Sequence, residues 1–241
     1  MMSDESKFIL HPSAFTIFNL PPQRQRREEL ERMVRLRVRI RFSKQDDLRW
    51  IGHRDSMRCF ERIFRRAELP LGRSEGFHPK PRMTFPLPLA VGIAGADEVM
   101  EFELAETLTA EEIQLRLAPQ LPGGLTLHSV EVLPSGARKV QVRSASYQAP
   151  IPAALRGGLP ERIDRLLAQS ACPIARSHGR STVDIRPLLE ALALTEGVLE
   201  MRLRIEQAGS AGPREVLRAL GLDDLESQGV PLARTAVEIT P

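Results

Sequence analysis

The chain has 241 residues, 42% apolar and 27% charged. These are the proportions of an ordinary globular protein, with material for one large domain or two of about 100 residues each. No run of about 20 apolar residues marks a membrane span, and the opening Met-Met-Ser-Asp-Glu holds neither a basic leader nor an apolar signal core, so a cytoplasmic setting is expected. Cys59 and Cys172 stand far apart with no CxxC pair, which argues against a disulfide, a zinc site or an iron–sulfur cluster built by this chain; neither metal nor cofactor is expected.

The net charge of +3 is unevenly spread. Residues 34–92 hold 14 Lys and Arg against 6 Asp and Glu, residues 1–33 balance at 5 against 5, and residues 93–241 are net acidic. Such a concentration of cations points to a polyanionic partner.

Residues 1–33 read as an extension, with a short solvated helix over Gln23–Met33. Leu36, Val38, Ile40 and Phe42 then alternate with Arg35, Arg37, Arg39 and Arg41, the pattern of a strand with one apolar and one basic face. From His53 to Leu69 the period becomes helical. Met57, Phe60, Ile63, Phe64 and Ala67 form the apolar stripe, and Arg54, Arg58, Arg62 and Arg66 a basic one, before Leu69-Pro70 stops the helix. Extended segments are expected over Arg82–Val91 and Glu98–Leu104, joined by Gly92–Asp97. Thr109 and Glu112 have capping-box spacing for a second helix, and Leu125–Leu133 reads as a fourth strand.

The order β-α-β-β-α-β is the ferredoxin-like arrangement. Beyond Pro134–Lys139 it recurs more weakly: a strand at Val140–Pro150, a helix at Leu159–Gln169, extended pieces near Cys172–Arg176 and Thr182–Arg186, a strand around Leu199–Glu206, a helix from Pro213 and a strand at Pro231–Ile239. The expected fold is therefore α+β, two tandem ferredoxin-like (βαββαβ) units with antiparallel sheets. A basic unit over 34–136 would carry the motifs, followed by a more acidic one over 137–241.

Four arginines on one strand face repel one another unless an anion or carboxylates neutralise them. Bound phosphate, pairing with carboxylates of the acidic part and a plain solvated face are the three readings, the first preferred because guanidinium binds phosphate bidentately. The loop from Pro70 to Arg82 is the most site-like segment. Gly76 permits a tight turn, Pro79 and Pro81 stiffen the backbone around Lys80, and Arg73, His78, Lys80 and Arg82 are possible anion donors. His53 and Asp55 either cap the helix or orient a ligand. No Walker loop, GxGxxG, HExxH or nucleophile elbow is present, so no catalytic residue is assigned. With one Trp, one Tyr, and Phe42 and Phe85 expected inward, contact with backbone and shape is expected over base stacking.

The motifs Arg39-Ile-Arg-Phe42 with Lys44, His53-x-Asp55-x-x-Arg58, Arg65-Arg-Ala-x-Leu-Pro70, Ser74-Glu-Gly-Phe-His-Pro79 and Leu87-x-Leu-x-Val-Gly92 resemble the radical-SAM-associated protein family, an uncharacterised bacterial domain fused to or encoded beside radical-SAM proteins. The resemblance implies a radical-SAM partner and no cluster in this chain. Two features depart from the pattern: Arg54 replaces an apolar residue, and Gln45-Asp46-Asp47 a glycine-containing turn. The expected function is a non-catalytic accessory module that binds structured RNA and works with that partner. Arg37, Arg39, Arg41, His53, Arg58, Arg73, Ser74, His78, Lys80 and Arg82 would contact the RNA. The alternatives are a protein-docking module without RNA and, behind it, a metal-free endoribonuclease using His53 and His78.

Overall fold

The computed structural model describes residues 36–175, 182–206 and 210–240. The extension over 1–33 and Arg35 lie outside them. Residues 34–241 form one compact unit.

Strand β1 spans Leu36–Lys44, and its alternation is kept: Val38, Ile40 and Phe42 are buried while Arg37, Arg39 and Arg41 lie on the other face. Helix α1, His53–Arg66, covers the apolar face with Phe60, Ile63 and Phe64. The rings interlock, with Phe42 5.0 Å and Phe85 5.6 Å from Phe60, and Phe64 4.6 Å from Phe102. Full burial of such a side chain is worth about 1.5–3 kcal/mol, so this cluster anchors α1.

Helix α1 is shorter than its periodicity predicts. Glu68 takes a left-handed conformation, φ +50°, and Leu69 turns back to donate its N–H to the Phe64 carbonyl at 3.1 Å. Leu69 is thereby buried without extending the helix. The strand expected over 82–91 shrinks to β2, Met83–Thr84, paired with Phe102 and Glu101; Pro86 and Pro88 lack the N–H that a ladder requires. Strand β3, Ala94–Leu104, takes in part of the expected link. Helix α2, Ala110–Leu117, starts at the capping box: Thr109 Oγ1 accepts from the Glu112 N–H at 3.2 Å, and Glu112 Oε2 from the Thr109 N–H at 2.8 Å. Strand β4 covers Leu125–Val132.

The second half contributes β5 (Gln141–Pro150), α3 (Leu159–Ala168), β6 (Pro173–Ala175), β7 (Thr182–Asp184), β8 (Leu189–Thr195), β9 (Val198–Arg204), α4 (Pro213–Ala219) and β10 (Ala233–Thr240). Strand β8, with Leu189 and Leu192 buried, is absent from the sequence reading; a register shift between Leu189 and Ala191 interrupts the alternation that would have revealed it. The pieces near 172–186 form a separate β6–β7 ribbon.

The large sheet runs β4-β1-β3-β10-β5-β9-β8, with β2 also on β3, and its pairs are antiparallel except β3–β10. The fold is mixed α+β with few helices on one broad, mostly antiparallel sheet. Ala233 opposite Ala94 and Arg234 opposite Gly95 join the two halves edge to edge.

Candidate functional site

The predicted site residues fall into three places. Arg37, Arg39 and Arg41 project from the face of β1 away from α1, where Arg39 and Arg41 meet carboxylates and Arg37 meets backbone carbonyls. Arg39 lies directly between Glu101 on β3 and Glu131 on β4 in register. Its Nη2 donates to Glu101 Oε1 at 2.9 Å and its Nη1 to Glu131 Oε2 at 3.3 Å. Arg41 pairs with Asp97 at 2.5 Å, and Arg37 donates to the carbonyls of Ala137 and Arg138 at 2.9 and 3.0 Å. The carboxylates that relieve the arginine repulsion come from the neighbouring strands.

Ser74 and Arg82 close the 70–82 loop into a small hairpin. The Ser74 N–H donates to the Lys80 carbonyl at 2.8 Å, and the Lys80 N–H to Ser74 Oγ at 3.0 Å. Arg82 donates its backbone N–H to Gly72 at 2.9 Å and its Nε to the Arg73 carbonyl at 3.1 Å. The tip, with Gly76 at φ +115°, Phe77 and His78, is exposed.

His53, Arg58, Arg73 and Lys80 are brought together. They line a groove of about 940 Å³ between α1 and the hairpin, with Arg54 and Arg65 as the cations not assigned from sequence. Five Lys and Arg side chains line it with one carboxylate, Glu61. A helix has 3.6 residues per turn, so the row facing the hairpin is 54, 58, 61 and 65 rather than a strict i+4 series; Arg62 and Arg66 leave that row. Arg58 has a 3.3 Å contact with the exposed Asp55, whereas Arg54, Arg65 and Lys80 have no ion pair among the described residues. Asp55 thus meets Arg58 and not His53, whose ring packs edge-on to Phe85 at 5.6 Å.

Below it lies a polar cluster that the sequence reading missed. Arg234 on β10, 2% exposed, donates Nε to Glu98 Oε1 at 2.8 Å, a second guanidinium nitrogen pairs with Glu98 Oε2, and Nη2 also reaches the Leu87 carbonyl at 2.7 Å. Lys44, 5% exposed, donates Nζ to the Ile51 carbonyl at 2.8 Å. Burial holds the Lys44 pKa below its ordinary value, with Glu98 opposing and Arg234 adding to that shift. Burial likewise raises the Cys59 thiol, against the pull of Arg62 and Arg66. The enclosed space beside Lys44, Ser56, Cys59 and Glu98 is about 20 Å³, room for one water and no substrate. The available signal was parity: Glu98 shares the apolar face of β3 with Met100, Phe102 and Leu104.

Among the described residues no three His, Cys, Asp or Glu side chains are grouped to hold a metal, Cys59 and Cys172 are free thiols, and no helix is long and apolar enough to cross a membrane.

Fold and site together define a mixed α+β protein with a basic groove between its first helix and a tied hairpin. The chain belongs to the family described as an uncharacterized protein conserved in bacteria (DUF2344), which matches residues 37–218 and so takes in the groove and most of the second half. No curated protein matches the chain. Among solved structures it is similar to an unknown protein from Galdieria sulphuraria, at 15% identity over 86% of this chain and 99% of that one, with a TM-score of 0.26.

Proposed function

We propose that the chain is an RNA-binding accessory module whose groove between α1 and the 70–82 hairpin receives the phosphate backbone, with no catalytic role of its own. The observation that carries this reading is the convergence of Arg54, Arg65, Arg73 and Lys80, without an ion pair among the described residues, with Arg58 around one open groove. Elsewhere Arg39, Arg41, Arg202, Arg204, Arg214, Arg218 and Arg234 each meet a carboxylate. Guanidinium groups spaced along a helix suit successive phosphates, and the hairpin is tied before any ligand arrives, which lowers the ordering cost of binding. The internally paired β1 arginines take a structural role in this reading, and the phosphate contacts move to Arg54, Arg58, Arg65, Arg73 and Lys80.

The strand orders β4-β1-β3-β2 and β10-β5-β9-β8 support treating the halves as two ferredoxin-like units sharing one sheet. The motif resemblance supports a radical-SAM enzyme as the protein that works beside this module, and the two free thiols suit a reducing cytoplasm. Ultraviolet crosslinking of the purified protein to cellular RNA, followed by peptide mapping, tests the site. Crosslinked peptides from residues 53–82 are expected. Crosslinks confined to the second half, or none, would contradict it.

A further inference from the structure

We propose that Phe77 is a stacking platform for an unpaired base, so that the groove selects single-stranded or looped RNA over duplex; this rests on the RNA reading above. Phe77 has a relative exposure of 101%, the highest of the exposed large apolar side chains among the described residues. It stands at the tip of a hairpin whose stem is tied by the Ser74–Lys80 hydrogen bonds, the Gly72–Arg82 bond and the Arg73–Pro81 bridge. Gly76 in the left-handed region, with open space around it, aims the tip outward, and Pro79 restricts its return. Burying a phenylalanine ring is favourable, and no contact of this fold buries it.

The setting of the ring selects its partner. The loop that carries it also holds Arg73, His78 and Lys80, with Glu75 as its only carboxylate. Charge complementarity therefore calls for an anion that also presents a flat apolar face, and a nucleotide supplies both. Trp50, the other exposed aromatic, is already in use: the Arg49 guanidinium lies 4.9 Å over its ring, and its edge lies so close to Gly92 that a Cβ there would come within 3.1 Å of it. A duplex keeps its base faces stacked inside the helix and shows only edges in its grooves, whereas unpaired bases can be splayed onto an aromatic ring. A base on Phe77 would leave the flanking phosphates beside Lys80 and Arg73 at the mouth of the groove.

The test is the affinity of the full chain for a single-stranded RNA oligonucleotide and for the same strand annealed to its complement, with Phe77→Ala, Phe77→Leu and Phe77→Trp. Because the ring touches nothing in the fold, these variants keep the native structure. Stacking worth about 1–3 kcal/mol per base predicts a loss of about 5-fold to 150-fold for Phe77→Ala on the single strand, with the salt slope unchanged. Duplex affinity should hold, Phe77→Trp should bind as well as the native chain, and Phe77→Leu should behave like Phe77→Ala. Normal binding that ignores Phe77→Ala, an equal loss on both probes, or full rescue by leucine overturns the stacking proposal alone; the first of these would assign the ring to a protein contact. Failure of the native chain to bind either probe overturns the RNA reading and this inference together.

Discussion

Glu98 on β3 and Arg234 on β10 form a bidentate ion pair, 3% and 2% exposed, at the seam where the two halves share a sheet. Their strands run parallel and are in register only at Ala94–Ala233 and Gly95–Arg234, so this pair and the Arg234–Leu87 hydrogen bond reinforce a short ladder. Desolvation works against the Arg234 charge, and the hydrogen bonds and charge of Glu98 more than offset it, which holds its pKa above the ordinary arginine value. Removing one partner strands a buried charge. Arg234→Ala should therefore destabilise the protein by about 3–5 kcal/mol, and the double substitution Glu98→Leu/Arg234→Met by much less. Urea unfolding of the two variants beside the native chain measures the difference; equal losses would deny the pair its role.

Lys44 sits in the same cluster and gives a pH signature. Its folded pKa lies below the unfolded value of 10.5, so between those two values the unfolded chain binds more protons than the folded one. Stability from this group must then rise with pH across that window. The gap in unfolding free energy between the native chain and Lys44→Met should widen in the native chain's favour as pH climbs toward 10.5. A gap independent of alkaline pH would show that Lys44 keeps an ordinary pKa.

Arg39 and Arg65 should part company. Arg39→Ala leaves Glu101, itself buried, without its cross-strand partner and should cost about 1–3 kcal/mol while RNA affinity stays unchanged. Arg65→Ala, on the exposed groove wall, should stay within about 0.5 kcal/mol of native stability and weaken RNA binding. Thermal unfolding and a binding titration on the same two proteins separate the roles.

The capping box predicts a smaller, local effect. Thr109→Ala removes the acceptor for the Glu112 N–H and should cost about 0.5–2 kcal/mol, while Thr109→Ser retains most of it.

What could be read from the sequence followed from periodicity. The β1 alternation, the apolar stripe of α1 and the Thr109–Glu112 spacing each impose a local geometry that the fold keeps. Where local rules competed, reading was weaker. Glu68 ends α1 by entering a conformation that an acidic residue seldom takes, and the prolines at 86 and 88 cut short an apolar strand. Asp46, in a turn without glycine, likewise sits at φ +49°. The site was half legible. Composition placed the cations in residues 34–92, but only long-range contacts showed that Arg37, Arg39 and Arg41 are occupied: Glu101 and Glu131 lie 62 and 92 residues from Arg39, and the carbonyls that Arg37 meets lie 100 and 101 residues away. The exposure of Phe77 had no sequence signal at all, since an aromatic beside Gly76 fits a buried turn equally well.

The central claim is that the groove, and not the face of β1, neutralises phosphates. Its most direct test is the affinity for single-stranded RNA across a salt series, for the native chain, the Arg58/Arg65/Lys80→Ala variant and the Arg37/Arg39/Arg41→Ala variant. Each phosphate contact on a single strand contributes about 0.7 to the slope of log affinity against log salt, so the groove variant should bind more weakly with a slope shallower by about 2. The β1 variant, so long as it remains folded, should keep the native slope. A native slope in the groove variant, with a shallower one in the β1 variant, would contradict the account.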